Sequence, residues 1–106
     1  MNEIPEAILA EPILCERIAK VRRWFPEIED LPPFREAYAD TPSGLVSSAA
    51  FWAQAFCNVS EQARQAGNIG QAEDLMGRAN ACAELAGMHI TSKMVYEYTV
   101  NEIEAL

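Results

Sequence analysis

The sequence predicts an all-α protein, a compact single-domain helical bundle of about four to six helices covering residues 1–106. Three observations carry this. All six prolines, at 5, 12, 26, 32, 33 and 42, fall within the first 42 residues. A 20-residue stretch without charge, 41–60, repeats its large apolar residues at helical spacing. A Gly67-Asn68 pair then separates two long helical patterns. Proline breaks a helix from inside but is tolerated in its first turn. Short helices divided by turns are therefore expected up to residue 42, and long helices beyond it.

Pro5 and Pro12 each suit a first helical turn. From Pro12, Leu14, Ile18, Val21 and Phe25 recur on one helix face. Glu16, Arg17, Lys20 and Arg23 fall off it, and Glu16 stands four residues before Lys20 as a favourable pair. Pro26 stops this helix. Glu27, Ile28, Glu29, Asp30 and Leu31 read as an acidic loop, and Pro32-Pro33 as the start of a short helix to about Ala39. Thr41 before Pro42 is an N-cap followed by a first-turn proline. The helix 42–66 carries the stripe Leu45, Ala49, Trp52, Phe56, Val59 and Ala63. It is apolar or small on nearly every side from Ser47 to Cys57, as a central buried helix is. Gly67 is a left-handed stop, and Asn68 can cap the next helix. That helix carries Ala72, Leu75, Met76, Ala79, Ala83 and Ala86, giving an αα-hairpin over 56–86. Residues 91–106 fit a helix capped by Thr91 or Ser92, although Met94, Tyr96, Tyr98 and Val100 also alternate like a strand. A lone strand would leave its backbone unpaired. The expected core is Leu14, Ile18, Val21, Trp52, Phe56, Leu75 and Met76.

Sixteen acidic residues against eight basic ones give a net charge of −8 and a pI near 4.5, and half of the residues are hydrophobic. This excludes a disordered tail and a basic nucleic-acid binder. The uncharged stretch has the length of a membrane span. It holds Pro42, Gly44, four serines, Gln54 and Asn58, and so reads as a buried helix of a soluble protein. The acidic opening MNEIPEAILAEPIL lacks the basic start of a secretory signal. With three cysteines, an odd number, reduced thiols in a cytoplasm are expected. The glycosylation sequon at Asn58 lies within a predicted helix and is set aside.

Several constellations bear on chemistry. Cys15, Cys57, Cys82 and His89 hold the atoms of a Cys₃His zinc site, but none stands in the close pairing that structural zinc needs. Buried thiols are the simpler reading, and no metal or other cofactor is expected. His89 could serve a nucleophile as base, yet no nucleophile elbow, phosphate loop or two-carboxylate pattern accompanies it. Glu73 and Asp74 are neighbours pointing to different sides of a helix. No enzyme is expected. Arg17, Lys20, Arg22 and Arg23 are half of all basic residues. They could hold a phosphate backbone, or form the solvated face of a helix paired with Glu16 and Glu27. The surrounding negative charge favours the second reading, without direct contact to nucleic acid.

Two acidic groups remain as candidate partner-binding residues. The first is Glu27, Glu29, Asp30, Glu36 and Asp40, around the proline-rich turns. The second is Glu97, Glu102 and Glu104. Carboxylates at this density steer association with a basic surface; in a small protein they also simply confer solubility.

Over Phe56 to Ala79 the chain resembles one tetratricopeptide-type hairpin, with Phe56, Val59, Gly67, Ile69, Ala72, Met76 and Ala79 at that repeat's apolar, glycine and small positions. It departs at Ser60, Ala63 and Glu84, and no second copy occurs at the 34-residue period. An ordinary αα-hairpin is the simpler reading. Over all 106 residues, as a short, acidic, helical, reduced domain without catalytic motifs, the chain resembles the small phage-encoded anti-CRISPR proteins, and among them those directed at type I-E systems. The likeness is one of type and size and transfers no residue by motif. It implies a non-enzymatic inhibitor in the cytoplasm of a bacterial host. Such a protein binds a basic protein surface of a CRISPR-Cas effector or its nuclease, without a membrane, and as a monomer in preference to a homodimer. The alternative is a helical adaptor or structural protein that binds through an apolar patch or as a homodimer, with Trp24, Phe25, Phe34 or Tyr38 as contacts.

Overall fold

The computed structural model describes residues 4–36, 39–87 and 103, and among them it is all-α. Helix α1 (Glu6–Leu9) and helix α2 (Pro12–Trp24) open the chain. A 3₁₀ turn (Pro26–Asp30) and helix α3 (Pro32–Arg35) come next. Helix α4 (Pro42–Gln65) and helix α5 (Ile69–Ala86) form the predicted hairpin and pack along one another. Helix α2 lies against α5, and α3 against α4.

The boundaries have local causes. The Thr41 hydroxyl accepts from the Gly44 amide at 3.1 Å, which satisfies one of the free donors at the start of α4. At the other end of α4, the Gly67 amide donates to the Arg64 carbonyl and the Asn68 amide to the Ala63 carbonyl, at 3.0 and 2.9 Å. This is a Schellman-type ending, and it requires the positive φ of +85° that Gly67 supplies. Asn68 does not cap α5 with its side chain, contrary to expectation, and its backbone amide is held by the end of α4. Gly87 closes α5 at φ +67°.

The core is where the stripe on α4 predicts it. Leu45, Ala49, Trp52, Phe56, Val59 and Ala63 are all buried, together with Leu14, Ile18, Val21 and Leu75. Met76 is the exception among the expected core residues: it is partly buried and packs against the core's edge. Trp52 sets its ring edge-on to Phe51 at 5.0 Å and tilted to Phe56 at 5.9 Å. Small side chains let α4 and α5 approach closely. Ser60 stands where the tetratricopeptide pattern has glycine, and its hydroxyl donates across the hairpin to the Ala72 carbonyl at 2.6 Å.

Two segments differ from expectation. The acidic loop is a 3₁₀ turn. Pro26 pre-sets its first φ, the Ile28 and Leu31 amides close i→i+3 bonds, and Ile28 is drawn fully into the core. Helix α3 ends at Arg35, short of Ala39, because Glu36 turns to extended backbone. The predicted terminal helix 91–106 lies outside the described residues, apart from Ile103, which is helical and buried. Among the described residues no helix is long and apolar enough to cross a membrane.

Candidate functional site

Three of the four basic residues of α2 meet other elements, and the fourth, Arg23, is exposed. Lys20 meets Glu84 of α5 at 3.0 Å, not Glu16 as the i, i+4 spacing predicts. The Arg22 guanidinium lies 3.7 Å from Glu29 in the 3₁₀ turn, with only 23% and 20% of the two side chains exposed. Arg17 lies against Gly87, where an added Cβ would stand 2.6 Å from the guanidinium. Three of the four residues that could have formed a phosphate-binding cluster therefore tie α2 to α5 and to the turn. This placement also sets positive charge near the C-terminal end of α5, where the helix dipole favours it. Sequence spacing shows none of it, because each partner lies outside α2.

The first acidic group is divided by the fold. Glu29 is held by Arg22, and Glu36 is half-buried, its Oε1 accepting from the Trp52 indole Nε1 at 3.4 Å. Glu27, Asp30 and Asp40 are the members that the fold leaves without an ion pair among the described residues; Glu27 and Asp40 are exposed. The segment's outer surface carries Glu27, Asp30 and Asp40 beside the exposed Arg23 and Arg35, while Arg22 lines its inner side. The second acidic group, Glu97, Glu102 and Glu104, lies outside the described residues.

A cavity of about 180 Å³ opens where α1, α2, α3 and α4 converge. Ile8, Ile18, Phe34 and Leu45 supply apolar wall, and Arg22, Glu29 and Asp40 supply polar edge. It joins two of the predicted acidic residues, Glu29 and Asp40. Nothing in the local sequence pattern points to it, since its walls come from four separate elements.

The apolar candidates are divided as well. Trp24 is 48% exposed, whereas Phe25 and Phe34 are half-buried against the core. Tyr38 lies outside the described residues. Leu9, Ile13 and Ile69 are further exposed apolar side chains that no sequence pattern singles out. Ile13 and Trp24 stand at the two ends of α2, roughly 16 Å apart by helical rise, so they do not meet in one patch.

The three cysteines are free thiols. Cys15 is half-buried and its thiol donates to the Ile8 carbonyl at 3.4 Å. Cys57 and Cys82 are buried. Burial pushes the Cys82 thiol far above its ordinary range, with the Arg78 charge opposing in part. Such a thiol is a poor nucleophile. Among the described residues no three His, Cys, Asp or Glu side chains are grouped to hold a metal ion, and His89 lies outside them. No family model matches the chain, and no curated protein or solved structure is significantly similar to it.

Proposed function

We propose that this protein is a non-enzymatic inhibitor that binds a basic surface of a nucleic-acid-handling protein complex, a CRISPR-Cas effector or its nuclease, through carboxylates at its surface. The observation that carries the reading is the sorting of charge in the proline-rich segment. Arg22 is engaged by Glu29 and Arg17 packs against Gly87, while Glu27 and Asp30 are exposed on a 3₁₀ turn anchored by buried Ile28. A surface that binds the phosphate backbone is rich in Lys and Arg. Exposed carboxylates compete for such a surface and speed encounter with it.

Plaquing of a targeted phage on a host with an active type I-E system tests this reading. Expression of the protein should raise plaquing efficiency, and the double reversal Glu27→Lys/Asp30→Lys should abolish the effect while the helical circular dichroism persists. An unchanged effect after reversal of this pair and of Glu97, Glu102 and Glu104 would sink the acidic-surface reading.

The half-exposed Trp24 supports the second reading, an adaptor or homodimer that docks through apolar side chains. Sedimentation separates the two. A dimer that dissociates on Trp24→Ala would favour the adaptor, and a monomer would favour the inhibitor.

A further inference from the structure

We propose that the cavity between α1, α2, α3 and α4 is a pocket for a lysine side chain of the basic partner. The inference rests on the acidic-surface reading and names the group that the partner inserts. The aliphatic stem lies against Ile8, Ile18, Phe34 and Leu45, and the ammonium meets Asp40 at the rim.

Size, wall chemistry and charge agree on this occupant. An apolar cavity of roughly 150 Å³ accepts a benzene molecule, so about 180 Å³ accommodates a butyl stem. The walls give such a stem apolar contact. Of the three ionic groups at the edge, Arg22 and Glu29 pair with each other at 3.7 Å and largely cancel. Asp40 has no ion pair among the described residues, so among these the rim carries one uncompensated negative charge. An anion would face both carboxylates. A guanidinium carries five N–H donors, of which Asp40 can accept two; with Glu29 turned to Arg22, the apolar walls leave the rest without a partner. A compact ammonium on a flexible stem needs only the single carboxylate that remains.

Titration of the ¹⁵N-labelled protein with n-butylammonium, at fixed ionic strength, tests the pocket without any partner. 1-Butanol serves as the neutral probe of equal stem length and n-butylguanidinium as the planar cation. The ammonium should bind in the millimolar range and shift the amides of Ile8, Ile18 and Leu45. Asp40→Asn should weaken it about fivefold, a factor suited to an exposed charge pair. Ala39→Leu, which adds bulk to a buried wall residue and keeps the carboxylate, should abolish binding. Equal affinity for 1-butanol or for n-butylguanidinium, an unchanged affinity in Asp40→Asn, or no shift at these amides would each overturn the proposal. The pocket and the acidic surface fail separately. If n-butylammonium does not bind but Glu27→Lys/Asp30→Lys still abolishes plaquing, only the pocket is lost. If it binds as described and the protein never raises plaquing, the ammonium site stands and the inhibitor reading falls.

Discussion

Between Pro42 and Ala86 two long helices bury alanine, phenylalanine, tryptophan and leucine against one another, and a side-chain bond from Ser60 to Ala72 crosses between them. Between Pro5 and Thr41 four short elements are folded against that hairpin by single large residues, Ile8, Ile18, Ile28 and Leu31, and by the Lys20–Glu84 ion pair. The hairpin commits its facing surfaces to packing. The proline-rich segment keeps carboxylates at its outer side and leaves a cavity behind them. Under the proposed function the contrast is a division of labour: stability resides in the hairpin, and recognition in the segment it carries.

The largest test of that division is a pair of truncations. Phe56→Ala removes a buried ring from α4 and should cost about 3–5 kcal/mol in urea unfolding. Phe34→Ala, at a half-buried position on the cavity wall, should cost about 1–2 kcal/mol. Equal costs would break the comparison.

A second test uses pH. The Cys82 thiol of α5 has its proton affinity raised by burial, so the native state keeps a proton that the unfolded chain releases above the ordinary value near 9.0. Native protein then binds more protons than unfolded protein, and stability falls as pH rises. The contribution is intact below about pH 9 and is lost above it at up to ~1.4 kcal/mol per pH unit. Denaturation at pH 8, 9 and 10 should show a steeper decline in the wild type than in Cys82→Ala. Parallel curves would show that Cys82 is not insulated as the packing of α5 requires.

Where the two regions meet, Gly87→Ala should cost about 1–2 kcal/mol. The new Cβ is strained at φ +67° and crowds Arg17, which must move. A neutral result would mean that α2 is not tied to the end of α5. The smallest stability effect belongs to the proposed recognition surface: Glu27→Lys/Asp30→Lys should change unfolding free energy by less than about 0.5 kcal/mol, because neither carboxylate has an ion pair among the described residues to lose. A larger cost would show that these carboxylates serve the fold.

The two regions are also unequally legible in the sequence. Thr41-Pro42 and Gly67 mark the ends of α4 correctly, and the stripe from Leu45 to Ala63 identifies its buried face, because capping chemistry and helical period are local properties of the chain. The proline-rich segment can be divided into elements but not oriented. Its 3₁₀ turn reads as a loop, since Pro26 permits both and the burial of Ile28 makes the choice. Spacing assigns Lys20 to a neighbour on its own helix, because it reports proximity along one helix and not the arrival of α5. The contacts of Arg17 and Arg22 escape it in the same way. Among the candidate acidic residues, no sequence signal separates Glu29 and Glu36, which the fold engages, from Glu27 and Asp40, which it exposes. The cavity is invisible for the same reason.

The central claim is that Glu27 and Asp30 serve recognition and not folding. Its most direct test is binding of the purified protein to a purified type I-E effector complex, measured for the wild type and for Glu27→Lys/Asp30→Lys at low and high salt. The wild type should bind, more weakly as salt rises, and the reversed variant should lose binding while unfolding at the same urea concentration. A reversed variant that binds with unchanged affinity, or a wild type that does not bind at all, would contradict it.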